Sequence, residues 1–490
     1  MGYPGTNFRA FLIKENNMHE KLIKTMLFGA GEAGKELLQD LARHPENPLQ
    51  VVCIIDDDVK KHGSTIYGIP VVGGREKIID SVQQYNIQTI VLAIPTVDST
   101  NKKEILSICQ QTCCTLKTLP ALSQFVDPNV NIRLVRDVHI DDLLGRIPSK
   151  IDISSIDQHV DGKTILVTGA GGSIGSELCR QISHYTPKKL ILFDIHENSV
   201  YSLQQELLSK YPQLNFTTLI GSIRDYNRIE SIIKKFRPDM IFHAAAHKHV
   251  PLMESSPHEA IKNNVLATWN LVKTADKYDV SNFLLISTDK AVNPTNIMGA
   301  SKRICEMIIQ MHNRISKTEF VAVRFGNVLD SSGSVVPLFR KQIASGGPVT
   351  VTHPDVNRFF MTIPEAVSLV LAAGASASGG EIFILDMGDP VKIVDMAEKL
   401  IRLSGYVPGR DIQIVFTGLR PGEKLYEEIL MNEEGLRKTA NEKIYVANPI
   451  KFDERVFCSQ LETLTRIVDD DSTNIREEIQ KILPTYHPAC

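Results

Sequence analysis

Short, largely apolar runs separated by longer amphipathic stretches set the layout of the chain. Residues 24–28, 51–55, 69–72, 89–94 and 115–118 read as strands, and the same rhythm resumes at 164–167, 190–193, 216–220, 240–243 and 283–287. Largely apolar, non-alternating runs suit strands buried on both faces of a parallel sheet. Strand–helix alternation of this kind predicts α/β architecture with two parallel-sheet domains. The expected boundaries are an N-terminal arm (1–23), an accessory domain (24–130), a connector (131–160) and a main domain (161–440). A small substrate lobe lies mainly in 328–440 of the main domain, and a helical C-terminal tail covers 441–490.

Each domain opens on a glycine-rich turn between its first strand and first helix, the Rossmann-like arrangement. In the first, Gly29, Gly31 and Gly34 have dinucleotide-loop spacing and Asp56 follows at the end of the next strand. Those glycines either bring backbone N–H groups close to a phosphate or only allow strand and helix to pack tightly. In the second, Thr168, Gly169, Gly171, Gly172, Ser173, Ile174 and Gly175 form the loop, and Asp194 ends the following strand. A carboxylate there accepts hydrogen bonds from a ribose 2′-hydroxyl and repels a 2′-phosphate, which favours NAD over NADP. Ser222 and Asp225 end a further strand, where an adenine would fall. Ala244, Ala245 and Ala246 are small enough to let a nicotinamide ribose approach the backbone.

The densest chemistry lies at 283–303, FLLISTDKAVNPTNIMGASKR. Thr288, Asp289 and Lys290 stand where a strand ends, and ligands of open α/β sheets bind outside such carboxyl ends. Asn293-Pro294-Thr295-Asn296 is a turn signal, and a helix carrying Met298 and Lys302 follows from about Gly299. His243, His247 and His249 lack the carboxylate or cysteine set that would complete a metal site, so no metal is expected; they read as structural or phosphate-neighbouring histidines. Asn263 and Asn264 belong on a buried helix, where backbone capping is the simple alternative. The charged run Arg136–Arg146 of the connector reads as a solvated helix face or a lid.

Composition narrows the class without changing the picture. Apolar residues are 43%, charged residues 23% and the net charge is −3, which gives no reason to expect nucleic acid or a membrane surface as partner. No window approaches the roughly 18 apolar residues of a spanning helix, and eight scattered cysteines without a CxxC pair suit a reducing, cytoplasmic setting.

Five stretches together carry a resemblance: TGAGGSIGSELCRQI, HAAAHKHVPLME, ISTDKAVNPTNIMGASKR, VRFGNVLDSSGSVVPLF and LRPGEKLYEEIL. Over about 163–430 the chain resembles the extended short-chain dehydrogenase/reductases that act on nucleotide sugars, and among them the UDP-N-acetylglucosamine 4,6-dehydratases of the CapD-like polysaccharide biosynthesis family. The resemblance implies tightly held NAD(P), a UDP-sugar substrate and a homo-oligomer. It also implies that 24–130 is the additional domain of the family's larger members, which carry transmembrane helices ahead of it; no such helix is read here. Where the wider superfamily has Tyr-x-x-x-Lys, this chain has Met298 and Lys302. Methionine cannot carry a proton. Either the chain is a silent nucleotide-binding regulator, or acid–base duty has moved to Asp289 and Lys290; the CapD-like family shows the same methionine and retains activity.

A 4,6-dehydratase oxidises sugar C4, eliminates water across C5 and C6 and reduces C6, which requires a base and an acid on adjacent carbons. The resemblance assigns Asp289 as acid for the C6 oxygen, Lys290 as C5 base, Thr288 as hydrogen-bond partner of the C4 oxygen and Lys302 as holder of the nicotinamide ribose. The C4 hydroxyl proton goes to Asp289 or a water. A neutral Lys290 is expected to need burial and a neighbouring cation such as Lys302. Asn327 and Val336 lie beside the diphosphate path, with His247 near it. Arg358 and Arg420 suit bidentate phosphate contact, and Glu423 faces the nucleotide. A UDP-sugar 4-epimerase, which uses only the C4 step, is the alternative activity.

Overall fold

The computed structural model describes residues 22–112, 114–119, 135–138, 142, 153–428, 435–470 and 474–488. They form two compact units, the first from the described residues of 1–147 with 339–349 and 395–415, the second from the remainder. Most of the expected arm and connector lies outside the described residues. Of the connector's charged run, Arg136 donates to Asp142 at 2.8 Å.

In the first unit β1 (Ile23–Phe28), α1 (Glu32–Arg43), β2 (Leu49–Ile55), β3 (Thr65–Ile66), β4 (Ile69–Gly73), α2 (Ile78–Tyr85), β5 (Thr89–Leu92), α3 (Ser99–Cys109), β6 (Thr115–Thr118) and β7 (Arg136–Asp137) follow in order. The sheet order is β3-β4-β2-β1-β5-β6-β7. β1 runs parallel to β2 on one side and β5 on the other, so the strand order reverses at its carboxyl end. Leu27, Ile54 and Val91 fill the core against Leu37 of α1.

The second unit runs β8 (Thr164–Thr168), α4 (Ser173–Ile182), β9 (Lys189–Asp194), α5 (Glu197–Lys210), β10 (Phe216–Ile220), α6 (Tyr226–Phe236), β11 (Met240–His243), α7 (Ala267–Lys277), β12 (Asn282–Ile286), α8 (Ile297–Asn313), β13 (Glu319–Arg324), β14 (Asn327–Val328), β15 (Asn357–Arg358), β16 (Phe360–Met361), α9 (Ile363–Ala375), β17 (Ile382–Leu385), β18 (Val391–Lys392), β19 (Leu436–Lys438), β20 (Ile444–Ala447), α10 (Glu454–Ile467) and α11 (Ile475–Ile482). Its sheet has the order β10-β9-β8-β11-β12-β13-β17-β20-β19. All strands from β10 to β17 in that order pair in parallel, and β20 and β19 extend the sheet antiparallel.

Both faces are covered, which is why the strands read as continuous apolar runs. Phe283 and Leu285 of β12 join Ile229, Leu271, Ile304 and Ile308 on one face, while Leu284 joins Leu178, Leu203 and Val370 on the other. The tail, whose sequence offers no motif, completes the first of these layers. Phe457, Leu461 and Leu464 of α10 and Ile475, Ile479 and Ile482 of α11 form one apolar stripe buried in it. The architecture is α/β and Rossmann-like in both units, and the crevice of the second lies between β8 and β11, where its strand order reverses.

Candidate active site

Strand β12 ends at Ile286 and delivers Ser287 and Thr288 to the crevice, after which Asp289–Ala291 makes one 3₁₀ turn. The Asp289 amide donates to Phe325 O at 3.1 Å, which stitches this turn to the end of β13. Thr288 donates its hydroxyl to Asp289 Oδ1 at 2.8 Å, and Lys290 Nζ donates to the same oxygen at 3.2 Å and to Asn327 Oδ1 at 3.2 Å. Helix α8 begins at Ile297 because Asn296 caps it, accepting from the Gly299 amide at 2.8 Å. Gly299 is required there: a Cβ would sit 2.1 Å from Lys290 O, so only glycine lets the helix press against the turn.

A carboxylate not singled out in the sequence completes the cluster. Glu427, 3% exposed at its side chain, places Oε1 2.6 Å from Lys290 Nζ and 3.1 Å from Arg358 Nε. Its Oε2 accepts from Asn327 Nδ2 at 2.9 Å. Glu427 Oε1 is thus a close ion-pair partner of both Lys290 and Arg358, and Asp289 Oδ2 is a buried acceptor that receives no hydrogen bond. Burial, together with the charge of Asp289, pushes Glu427 up to about 7. Burial works against ionised Asp289, but the Lys290 ammonium and the Glu427 and Thr288 contacts hold it below the usual carboxylate range.

Lys290 departs from expectation. Burial opposes its charge, yet Asp289 and Glu427 outweigh burial and raise its pKa, and Lys302 is not the cation that sets it. The resting lysine is an ammonium between two carboxylates. Lys302, only 5% exposed, is the lysine that burial lowers, and it makes no hydrogen bond or ion pair among the described residues. Met298, one helical turn earlier, is 4% exposed and packs in the core.

The expected phosphate contacts divide. The Arg358 guanidinium donates to Asn357 O, Leu425 O, Lys424 O and Glu423 Oε1 at 2.6–3.3 Å, and its Nε lies 3.1 Å from Glu427 Oε1. Arg420 is 57% exposed with Glu423 as its ion-pair partner, so it remains open to an anion. The Val336 side chain is fully buried and can offer no more than backbone. His247 is clasped by Asn264, whose side chain accepts from its amide at 2.8 Å and donates to its carbonyl at 2.9 Å and to Ser301 at 2.9 Å. Asn264 rides on a π-helical turn, Ile261–Leu266, a distortion often found at functional sites. His243 sits between Thr168 Oγ1 (2.7 Å) and Thr268 Oγ1 (2.9 Å), and burial holds it neutral, down to about 3.

The two glycine loops differ in charge. Asp194 Oδ2 accepts from the Gly171 amide at 2.8 Å and Oδ1 from the His196 amide at 2.8 Å, with no cation on it among the described residues. Asp56 accepts from the Ala30 amide at 2.6 Å, but Lys61 Nζ sits 3.0 Å from the same oxygen and neutralises it. In the second loop a Cβ on Gly175 would fall 2.0 Å from Gly169 O, so the helix is seated directly on the turn. Ser222 accepts from the Arg224 amide at 3.2 Å, and Asp225 caps α6 through Arg228 N at 3.0 Å. Ala244, Ala245 and Ala246 follow β11, with the Gly169 turn packed on the Ala245 amide.

Residues 165–449 match the family model described as polysaccharide biosynthesis protein. The chain belongs to that family. It is 49% identical to the capsular polysaccharide biosynthesis protein CapD of Staphylococcus aureus over 441 residues, 89% of this chain and 73% of that one. It is 46% identical to the probable polysaccharide biosynthesis protein EpsC of Bacillus subtilis over 449 residues, 91% of this chain and 75% of that one. Among solved structures, Pen from Bacillus thuringiensis aligns at 34% identity and a TM-score of 0.55, over 59% of this chain and 90% of its own. The chain is thus a CapD-like extended short-chain dehydrogenase/reductase. Residues 8–120 match a model described as a CoA-binding domain. Among the described residues no helix is long and apolar enough to cross a membrane, and no group of three His, Cys, Asp or Glu side chains is placed to hold a metal.

Proposed function

We propose that the second unit is an NAD-dependent UDP-N-acetylhexosamine 4,6-dehydratase serving polysaccharide synthesis. The observation that carries this reading is the buried Thr288–Asp289–Lys290–Glu427 cluster at a strand end, where the superfamily tyrosine is replaced by the core residue Met298. A nucleotide-sugar epimerase acts at C4 alone and has no use for two further proton-handling groups beside that carbon.

The loop residues fit a dinucleotide. The Gly169–Gly175 turn offers backbone amides at the start of α4, Asp194 has uncompensated negative charge for a ribose hydroxyl, and Lys302 is a buried ammonium that needs a partner. Bound NAD would supply the redox step at C4 and reverse it at C6. Thr288 orients the C4 oxygen. Asp289, resting as a carboxylate, takes the C4 hydroxyl proton and later gives it to the departing C6 oxygen. Lys290 takes the proton from C5, which the C4 ketone has acidified, and returns it. Arg420 meets the diphosphate.

Incubation with UDP-N-acetylglucosamine and NAD, read by mass spectrometry, is expected to show loss of one water from the sugar nucleotide. An unchanged mass with inverted C4 would mean an epimerase, and unreacted substrate a binding protein.

A further inference from the structure

A lysine that removes a carbon-bound proton must first lose its own, and Lys290 rests charged. Two buried carboxylates flank that ammonium, and Glu427 is the nearer. Glu427 Oε1 lies 2.6 Å from Lys290 Nζ, within hydrogen-bond distance, while Oε2 is fixed by Asn327. Asp289 Oδ1 is also near Lys290, at 3.2 Å, but already accepts from the Thr288 hydroxyl. We propose that Glu427 accepts the ammonium proton of Lys290 and so makes Lys290 the base at C5. The proposal rests on the dehydratase reading and supplies a step that reading leaves open.

The steps balance. Asp289 carboxylate takes the C4 hydroxyl proton during oxidation. The Lys290 N–H bond nearest Glu427 breaks and an O–H bond forms on Oε1, leaving a neutral amine and a neutral acid. The amine takes the C5 proton while the C6–O bond breaks, and the C6 oxygen leaves as water with the proton from Asp289. After C6 is reduced, Lys290 returns its proton to C5 and recovers the other from Glu427. Asp289 ends ionised, Lys290 charged and Glu427 ionised, as they began.

The surroundings suit this exchange. Glu427 faces Asp289 and Lys290 from the 3₁₀ turn and Arg358 from β15, with Glu423, Lys424 and Glu428 on its own segment; Lys248 lies beyond Lys290. Burial brings the carboxyl's proton affinity closer to that of an amine than an exposed glutamate's would be. Glu427 must be ionised to accept, so C5 proton removal rises with pH through about 7 and is lost below it.

Glu427 acts through Lys290, so it is a positioning residue, and its test needs a readout that packing alone would not move. Glu427→Gln keeps the shape and removes the acceptor. With wild type and variant both folded and loaded with cofactor, solvent-deuterium exchange into sugar C5 and water loss should fall roughly 10²-fold or more, the lower end for a positioned proton-transfer group. Oxidation at C4, seen as the reduced-nicotinamide absorbance of the enzyme–substrate mixture, should persist within about tenfold by the same measure. The residual exchange should no longer rise through neutral pH. Glu427→Asp, which restores a carboxylate, should recover part of the exchange and the pH dependence. Unchanged exchange in the Gln variant would overturn the proposal. So would equal loss of C4 oxidation and C5 exchange, or an Asp variant no better than Gln, since both mean that Glu427 only braces Arg358 and Asn327. A wild type that forms no dehydrated product would overturn the dehydratase reading itself, whereas a dehydrating wild type with an unsplit variant overturns only the role of Glu427.

Discussion

Lys290→Ala and Asp289→Asn should each slow dehydration by about 10³- to 10⁴-fold, the upper range for a positioned acid or base, with NAD still bound. That corresponds to roughly 4–5.5 kcal/mol of transition-state stabilisation. The two side chains share one contact network, in which Lys290 Nζ lies 3.2 Å from Asp289 Oδ1 and 2.6 Å from Glu427 Oε1. Neither belongs to the glycine loop or to Asp194, so the cofactor site should survive, as equilibrium dialysis with NAD would check. Met298 separates chemistry from packing. It is buried among apolar neighbours, so Met298→Ala should cost about 2–5 kcal/mol of stability and leave turnover within tenfold of wild type. A Met298→Ala enzyme as slow as Lys290→Ala would give the methionine a chemical role that its surroundings do not show.

Glu306→Ala should be the most damaging single change to folding. Glu306 is fully buried one helical turn beyond Lys302 and accepts from Arg324 Nε at 3.0 Å, Arg324 Nη2 at 2.7 Å, Arg303 Nη1 at 3.2 Å and Ser287 Oγ at 2.7 Å. These bonds tie α8 to the ends of β12 and β13, the same strand ends that carry Thr288 and Asn327. Arg324 is itself fully buried, and removing one member of a buried pair costs about 3–5 kcal/mol because the remaining charge stays desolvated. Urea unfolding should show the loss as a lower midpoint with an unchanged slope. Replacing Glu306 and Arg324 together with apolar residues should recover a large part of it, which a purely local packing defect would not allow.

What the sequence made legible follows from range. Strands and glycine turns are written in neighbouring residues: 165–167 is apolar at every position because both faces of β8 are buried, and 168–175 must be glycine-rich because α4 sits on the turn. Thr288, Asp289 and Lys290 were readable as a group because one strand delivers all three. Glu427 was not, although it stands in the LRPGEKLYEEIL stretch, because nothing local distinguishes it from Glu428 beside it. Only the fold buries one of them against Lys290 while the other stays 47% exposed at its side chain. The charge of Lys290 is set by Asp289, its neighbour in sequence, with Glu427 from a distant loop, and not by Lys302. The backbone and carboxylate acceptors around Arg358 were likewise not legible. The apolar stripe of α10 and α11 was visible in principle as a helical repeat, but its partner surface was not.

The central claim is that one sugar hydrogen travels from C4 to C6 while water leaves between them. Substrate deuterated at C4 should give a dehydrated product that carries the label at C6 in ordinary water, with no net build-up of reduced nicotinamide. A product with no deuterium at C6, or reduced-nicotinamide absorbance rising in step with product, would contradict the account.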